Sequence, residues 1–446
     1  MTKLSSRDLL ALGFMTLALF LGAGNIIYPP FSGMQQGNHI WLFAGGFLVT
    51  AVGLPVLTIV ALARINGAVD ALCTPIGRIC STLFAVVCYL TVGPLFATPR
   101  TATVSYEIAI SPFLGENQGH IPLALYSIAY FLVTLIVSFY PGQLLDTVGK
   151  VLAPIKIIAV LLLGISAFVV ADSMLGHHPL MTPESTPFQT ISSGISNGYL
   201  TMDTIGALVF GIVIVRAIQS RGVSDKRLVA RYAIIAGLMA GFGLTVIYIA
   251  FFRLGLDSQL VAKGADTGAK VLSSYVHYVF GRTGDYILGF LIIIACLVTS
   301  VGLTCACSEY FSSLLGWSER YITVLLVVFS AVVSNLGLNH LIAFSMPLLF
   351  GLGPICVVLV LLSLGNHLWH SCRLVIVPPM LVALLFGVVQ FIRAAGFSFL
   401  SLDDSLLSRL PLYPNNLEWV LPVAVAAALS IALDRARHIL SKTPQN

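Results

Sequence analysis

The chain is a series of long apolar runs separated by short polar segments. Most runs contain about 20 residues or more, the length that an α-helix needs to cross a bilayer core. Alternating segments of about ten residues, which mark a transmembrane β-barrel, are absent from the sequence. The pattern predicts an all-α polytopic membrane protein. About twelve transmembrane helices are expected, near 8–32, 40–63, 78–105, 121–140, 147–171, 194–217, 228–253, 284–308, 320–338, 341–363, 374–395 and 416–434.

Composition supports this class and excludes several functions. Hydrophobic residues make up 58% of the chain and charged residues 9%, whereas soluble domains carry about 25% charged residues. The largest predicted loop, 256–283, has no nucleophile beside a base, and the chain has neither a Walker motif nor H-E-x-x-H. We therefore predict no enzyme, no cofactor, no nucleic-acid partner and no obligate protein partner. Uphill transport would need an ion gradient or another subunit.

The distribution of basic residues predicts the orientation in the membrane. Cytoplasmic loops of membrane proteins are enriched in Lys and Arg. With the N-terminus inside, the cytoplasmic segments contain Lys3, Arg7, Arg64, Arg78, Lys150, Arg216, Arg221, Lys226, Arg227, Arg231, Arg320, Arg373, Arg435, Arg437 and Lys442. The opposite side then contains Arg100, Arg253, Lys263, Lys270, Arg282, Arg393 and Arg409. Both termini are therefore predicted to be cytoplasmic.

The first span contains helix breakers in LFLGAGNIIYPP, which begins at Leu19. Gly22 and Gly24 tolerate unwound backbone, which occurs at membrane depth only where it is buried in protein or lines a cavity. The two helix ends at such a break carry opposite partial charges and suit the ammonium and carboxylate of a zwitterion. Asn25 adds an oxygen that can bind a cation. The alternative is a close-packing face of small residues.

The sixth span has comparable interruptions in GISNGYLTMDTIGALVFGIVIV. Asp203 is the only acidic residue deep inside any predicted span, and an intramembrane charge is a functional hypothesis by default. The alternatives are a structural hydrogen-bond partner and a carboxyl that burial keeps protonated. The remaining members of this group are Asn197, Gly198, Thr201, Thr204, Gly206 and Gly211. Breaks in spans one and six favour two five-helix repeats, about 8–171 and 194–363, followed by extra helices at about 374–434.

Polar groups also lie in the eighth and third spans. The hydroxyls of Thr299, Ser300 and Thr304 could complete a shell of oxygen ligands around a cation, or could bond back to their own helix. Tyr89 could donate its hydroxyl to a carboxylate. Arg100 and Glu107 are seven residues apart and share a helical face, where they could form either an extracellular gate or an interfacial anchor. The anchor is the preferred interpretation.

Several of these motifs resemble a known family. GAGNIIYPP, YLTVGPLFATPRTATVSYE, FYPGQLLDTVGKVLAPIKI, NGYLTMDTIGALVFGIVIV and CLVTSVGLTCACSEYF resemble the bacterial branched-chain amino acid:cation symporters of the inner membrane. The resemblance implies sodium-coupled uptake of leucine, isoleucine and valine through the lipid bilayer. It also implies the LeuT-type fold, with two inverted five-helix repeats and two further helices. Proton coupling, or a membrane amino acid sensor without transport, is the alternative.

The resemblance to LeuT-type transporters also implies site residues. Gly22, Ala23 and Gly24 match a run that contacts the amino acid backbone, and Asn25 matches a sodium ligand beside the substrate carboxylate. Asp203 is not part of that pattern. The predicted substrate-binding residues are Gly22, Ala23, Gly24, Tyr89, Thr201, Asp203, Thr204 and Gly206. The predicted sodium ligands are the carbonyls of Ala18 and Leu21 and the side chains of Asn25, Thr299, Ser300 and Thr304.

Overall fold

The computed structural model describes residues 4–65, 69–114, 121–140, 153–174, 185–396 and 408–442, and all regular structure in these ranges is helical. The predicted start of the fifth span, 147–152, lies outside the described residues. The α-helices are α1 Ser6–Phe20, α2 Ala23–Gln36, α3 Ile40–Leu48, α4 Leu54–Ala63, α5 Val69–Leu72, α6 Arg78–Leu90, α7 Ala97–Ala109, α8 Ile121–Ser138, α9 Ala153–Met174, α10 Pro187–Asn197, α11 Asp203–Gln219, α12 Lys226–Asp257, α13 Gly268–Leu315, α14 Glu319–Ser334, α15 Leu338–Leu364, α16 Cys372–Ala394 and α17 Val420–Lys442.

Several helices begin at side chains that cap the unpaired amides of the first turn. The Ser5 hydroxyl accepts a hydrogen bond from the Asp8 amide at 3.1 Å at the start of α1. Thr186 and Gln189 form a reciprocal capping box at the start of α10, with bonds of 3.0 and 3.3 Å. Such caps stabilise a helix end by about 1 kcal/mol. Asp225, Thr267 and Ser318 cap α12, α13 and α14 in the same way.

The first and sixth spans are both broken. Leu21 and Gly22 separate α1 from α2, with ψ angles of 74° and −173° that no helix adopts. In the sixth span, a short 3-10 turn at Gly198–Thr201 precedes Met202, and the axes of α10 and α11 are bent by 42°. The prediction that these two helices are unwound is confirmed.

The second and third spans contain π-helical turns. Val49–Gly53 joins α3 to α4, and Thr91–Leu95 follows α6. The third span leaves helical geometry at Gly93, where ψ is −118° just before Pro94. Proline lacks the amide that the preceding turn needs, and its ring clashes with that turn. The kink sets the direction of α7, which carries Arg100 into the centre of the bundle.

The eighth span is longer than the sequence predicted. α13 contains 48 residues and includes most of the segment 256–283 that was predicted to be a loop, so that part of the prediction is wrong. A break at Gly281, with a φ of 59°, divides α13 into two parts. The left-handed conformation suits glycine because it has no Cβ atom. Thr267 caps the N-terminus of α13, which contains Lys270 and Arg282, whereas Lys263 and Asp266 lie in the turn before it.

Close backbone contact places α2 against α12. A Cβ atom on Gly255 would lie 2.0 Å from the Pro30 carbonyl oxygen, and one on Gly33 would lie 2.4 Å from the Phe252 carbonyl oxygen. Small residues at such positions let transmembrane helices approach closely. α2 also packs against α7 and α13, so the break in the first span lies at the centre of the bundle.

The number of spans stays a prediction. By length and composition, seven helical stretches among the described residues can cross a membrane, and the bent pair α10–α11 makes an eighth. α1 and α14 have 15 and 16 residues, shorter than a full crossing needs. The ninth and tenth predicted spans correspond to two separate helices, α14 and α15. The chain leaves helical geometry between them at Gly337, which has a φ of 81°.

Candidate functional site

A cavity lies where the breaks in the first and sixth spans meet. It is bounded by four predicted spans. Its lining consists of Leu19, Phe20, Gly22, Ala23, Gly24 and Asn25 from the first span, Val92, Ala97, Arg100 and Thr101 from the third, Thr201, Met202, Asp203, Gly206 and Phe210 from the sixth, and Thr299 and Leu303 from the eighth. Most of the lining is apolar, while Arg100 and Asp203 carry the only formal charges among these residues.

Asn25 links the two breaks. Its side-chain oxygen accepts a hydrogen bond from the Gly22 amide at 2.9 Å, which caps the first turn of α2. Its amide nitrogen donates to both carboxylate oxygens of Asp203, at 2.9 and 2.8 Å. The oxygen predicted to bind sodium therefore already accepts one hydrogen bond, which leaves it one lone pair.

Asp203 is held at the first turn of α11. Its carboxylate accepts hydrogen bonds from Asn25 and from the hydroxyl of Tyr248 on α12, and only 4% of its surface is exposed. Within the described residues, no basic side chain forms an ion pair with it. Asn25 and Tyr248 make three contacts with the carboxylate, which has about four acceptor positions. The group is therefore suited to receive an ammonium, a metal cation or a proton from the cavity.

Backbone strain marks the start of α11. Met202 has a φ of 65° and a ψ of 10°, the left-handed conformation that residues with a Cβ atom rarely adopt. Strained conformations of this kind cost about 1–3 kcal/mol and cluster at functional sites. The turn brings Thr201 and Asp203, on either side of Met202, to the cavity.

Arg100 was not predicted to line the site. It is 1% exposed, so its interpretation as an interfacial anchor is wrong. It also forms no ion pair with Glu107, which excludes the alternative gate pair in this structure. Its guanidinium donates to Ser345 Oγ at 2.7 Å and lies 3.4 Å from the Leu200 carbonyl oxygen. The signal was its position inside the predicted span 78–105, where an ionisable residue is a functional candidate.

Two of the predicted sodium ligands, Leu21 and Thr299, lie close together. Thr299 Oγ1 lies 3.5 Å from the Leu21 carbonyl oxygen, across the break between α1 and α2, and also donates to the Ala295 carbonyl of its own helix at 3.2 Å. Ser300 instead lies 3.5 Å from the Thr134 hydroxyl on α8, and Thr304 donates to the Ser300 carbonyl at 2.8 Å. The structure thus places Thr299 beside Leu21 and gives Ser300 and Thr304 other partners. Ala18 is buried in the last turn of α1.

The remaining predicted substrate-binding residues fall into two groups. Gly22, Ala23, Gly24, Thr201 and Gly206 line the central cavity with Asp203. Thr204 and Tyr89 are not among the lining residues given above. Thr204 donates to the Thr50 carbonyl at 3.3 Å and borders a separate small cavity. Tyr89 stacks on Tyr310, with ring centroids 4.0 Å apart, on the other side of the break in the third span.

Tyr248 was also missed by the sequence analysis. It is fully buried on α12, and its hydroxyl lies 2.5 Å from both Asn25 Nδ2 and Asp203 Oδ2. Tyr248, one of two tyrosines in the apolar run 228–253, carries no signal of its own, because its role depends on the packing of α12 against α2.

The chain is similar to one protein family over almost its whole length. A family model described as branched-chain amino acid transport protein matches residues 5–437. The chain is 52% identical over 434 residues to the branched-chain amino acid permease BrnQ of Escherichia coli K12, covering 97% of each chain. It is 54% identical over 433 residues to the branched-chain amino acid transport system 3 carrier protein of Pseudomonas aeruginosa, again covering 97% of each. The permease BraB of Bacillus subtilis is 39% identical over 432 residues, covering 97% of this chain and 96% of the permease.

Solved structures show the same fold at low sequence identity. MhsT in complex with L-phenylalanine aligns with a TM-score of 0.56 and 16% identity, covering 96% of this chain and all of that one. The inward-facing structure of Mhp1 aligns with a TM-score of 0.60 and 14% identity, covering 96% of this chain and 90% of that one. These likenesses establish the LeuT-type fold.

Proposed function

This chain belongs to the family of branched-chain amino acid transport proteins, and we propose on that premise that it imports leucine, isoleucine and valine by sodium-coupled symport. Because the family consists of transport proteins, the chain is a transporter and not an enzyme. The observation that carries the proposal is the cavity at the two helix breaks, which combines opposite charges with an apolar lining.

The two ends of the broken helices suit the charged groups of an amino acid. The C-terminal end of α1 presents backbone carbonyls, which attract an ammonium, and the N-terminal end of α2 presents amides, which attract a carboxylate. Asp203 adds a carboxylate to the same cavity. We propose that the substrate ammonium lies between this carboxylate and the carbonyls of α1.

Apolar side chains suit the hydrocarbon part of the substrate. Leu19, Phe20, Val92, Phe210 and Leu303 all face the cavity. Valine, leucine and isoleucine differ by a methylene or its position, and one methylene in an apolar pocket changes affinity by about 1–3 kcal/mol. We therefore propose that all three are substrates, with a modest preference that depends on these five side chains.

Sodium coupling is supported by the position of Thr299 beside Leu21. A hydroxyl and a main-chain carbonyl within 3.5 Å of each other provide two of the oxygen ligands that a hard cation prefers. Proton coupling is the second candidate. It is favoured by Asp203, a buried carboxylate with hydrogen-bond donors but no basic partner among the described residues. In that version Asp203 takes up and releases the coupled proton.

Uptake of labelled leucine into proteoliposomes tests the function and the coupling together. An inward sodium gradient at equal pH should drive accumulation, and a pH gradient without sodium should not. Excess unlabelled isoleucine or valine should compete with leucine. Uptake that follows the pH gradient and ignores sodium would replace sodium by the proton. Absence of leucine uptake under both gradients would refute the proposed function.

We also propose a location and an orientation. The family relatives are bacterial permeases, which supports the inner membrane. The excess of Lys and Arg in one set of loops supports cytoplasmic termini. Labelling of single cysteines placed at the two termini with an impermeant reagent tests this orientation. Labelling of either terminus from outside intact cells would contradict it.

A further inference from the structure

The guanidinium of Arg100 is fully buried beside the central cavity. It extends from α7 toward the break in the sixth span, where it lies 3.4 Å from the Leu200 carbonyl oxygen. Its second terminal nitrogen donates to Ser345 Oγ on α15 at 2.7 Å. The Tyr28 ring lies 5.6 Å away, within the range of a cation–π contact. Contacts from three helical segments therefore hold the Arg100 guanidinium in one position.

Arg100 lacks the partner that a buried cation normally has. In the part of the chain that the structure describes, no carboxylate forms an ion pair with it, and its Nε atom has no hydrogen-bond acceptor. A buried, uncompensated charge is costly, and charges at membrane depth are usually paired or functional. The neutral oxygens of Leu200 and Ser345 satisfy two of the five donors of the guanidinium. The remaining donors are suited to an anion that enters the cavity.

The Arg100 guanidinium and the N-terminus of α2 lie side by side at the central cavity. A Cβ atom on Gly24 would lie 3.5 Å from Arg100 Nη1, in ordinary van der Waals contact, so the guanidinium lies beside the first turn of α2. The first amides of a helix have no intrahelical acceptor and carry partial positive charge. An anion at this point would meet both the amides and the guanidinium.

We propose that Arg100 binds the carboxylate of the transported amino acid, with its guanidinium fork beside the N-terminal amides of α2. This inference rests on the proposed function and names the residue that makes the site select amino acids over amines. Asp203 lines the same cavity and binds the ammonium, so the two formal charges of the site match those of the zwitterion.

Comparison of leucine with leucinol tests the assignment. Leucinol keeps the ammonium and the isobutyl group but has a hydroxymethyl group in place of the carboxylate. Competition against labelled leucine in purified protein should show leucinol binding about 100-fold more weakly to the wild type, since a paired carboxylate gains two charge-assisted hydrogen bonds. In Arg100→Gln the difference should fall to less than about fivefold, mainly because leucine binds more weakly. Arg64→Gln, at an exposed position away from the cavity, should keep the wild-type ratio.

The outcomes separate this inference from the proposed function. A wild-type ratio in Arg100→Gln, or equal binding of leucine and leucinol by the wild type, would overturn the role of Arg100 alone. Failure of the wild type to bind leucine would overturn the proposed function itself. Should Arg100→Gln fail to fold, Arg100→Lys keeps the charge but loses the bidentate fork. Its ratio should be about tenfold, and an unchanged ratio would overturn the inference.

Discussion

Replacement of Asn25 by alanine tests the link between the two helix breaks. The side chain caps α2 through the Gly22 amide and donates to Asp203. Loss of a helix cap costs about 1 kcal/mol, and loss of a hydrogen bond to a charged group costs about 1.5–3 kcal/mol. We therefore expect Asn25→Ala to lower the free energy of unfolding by about 2.5–4 kcal/mol. It should also remove the link between the Gly22 amide and the Asp203 carboxylate.

The effect on sodium activation should exceed the effect on membrane insertion. Asn25→Ala removes one oxygen ligand and the hydrogen bonds that hold the break in the first span. The sodium concentration for half-maximal leucine uptake should therefore rise about tenfold, which corresponds to about 1.4 kcal/mol. Uptake is measured in proteoliposomes at a series of sodium concentrations, and insertion is measured by the amount of protein recovered in membranes. Thermal unfolding in detergent gives the loss of stability.

Asn197→Ala is the matched control. Asn197 lies at the end of α10 and donates to the Ser193 carbonyl at 2.8 Å, away from the cavity. It should cost about 1 kcal/mol and leave sodium activation unchanged. Wild-type sodium dependence in Asn25→Ala would remove Asn25 from the cation site. Wild-type stability in the same variant would refute the argument that its hydrogen bonds hold the two breaks together.

Three further variants test separate parts of the structure. Gly255→Ala should destabilise the protein by about 1–3 kcal/mol in thermal unfolding, because its Cβ atom would lie 2.0 Å from a carbonyl oxygen of α2. Gly45→Ala, whose Cβ atom would contact nothing within 4 Å, is the control. Equal melting temperatures of the two variants would contradict the close packing. Thr299→Val should raise the sodium concentration for half-maximal leucine uptake about tenfold. Thr245→Val, which loses only a bond to its own helix, should leave that concentration unchanged. The same sodium dependence of uptake in both variants would exclude Thr299 as a sodium ligand. Asp203→Asn should weaken leucine binding at least about tenfold, and undiminished affinity in equilibrium binding would exclude it as the ammonium partner.

The helix breaks and their polar residues could be predicted because unpaired backbone and polar side chains are costly in contact with lipid. Gly22, Gly24 and Asn25 in an apolar run are costly unless they line a cavity, and the same holds for Asp203. The structure places all four at one cavity. The fold class could be predicted for the same reason, because run length and charge content follow directly from the thickness and polarity of the bilayer.

Residues whose role depends on packing between distant helices could not be predicted. Tyr248 meets Asn25 only because Gly255 lets α12 approach α2. The register of α13 decides that Thr299, and not Ser300, lies beside Leu21, and no local pattern specifies that register. Arg100 carried a signal, its position inside a predicted span, but counting it among the outer basic residues assigned it to the wrong environment.

The charges of the cavity have a consequence for the energetics of transport. Arg100 and Asp203 are formally opposite, and a branched-chain amino acid is a zwitterion, so neither the site nor the substrate adds net charge to the moving complex. With the proposed coupling, the cation would then be the only net charge that crosses the membrane. Each elementary charge gains about 2.3 kcal/mol per 100 mV of membrane potential. On this proposal, a site that balances its own charges directs the electrical driving force to the coupled cation, and the membrane potential would drive uptake through that ion.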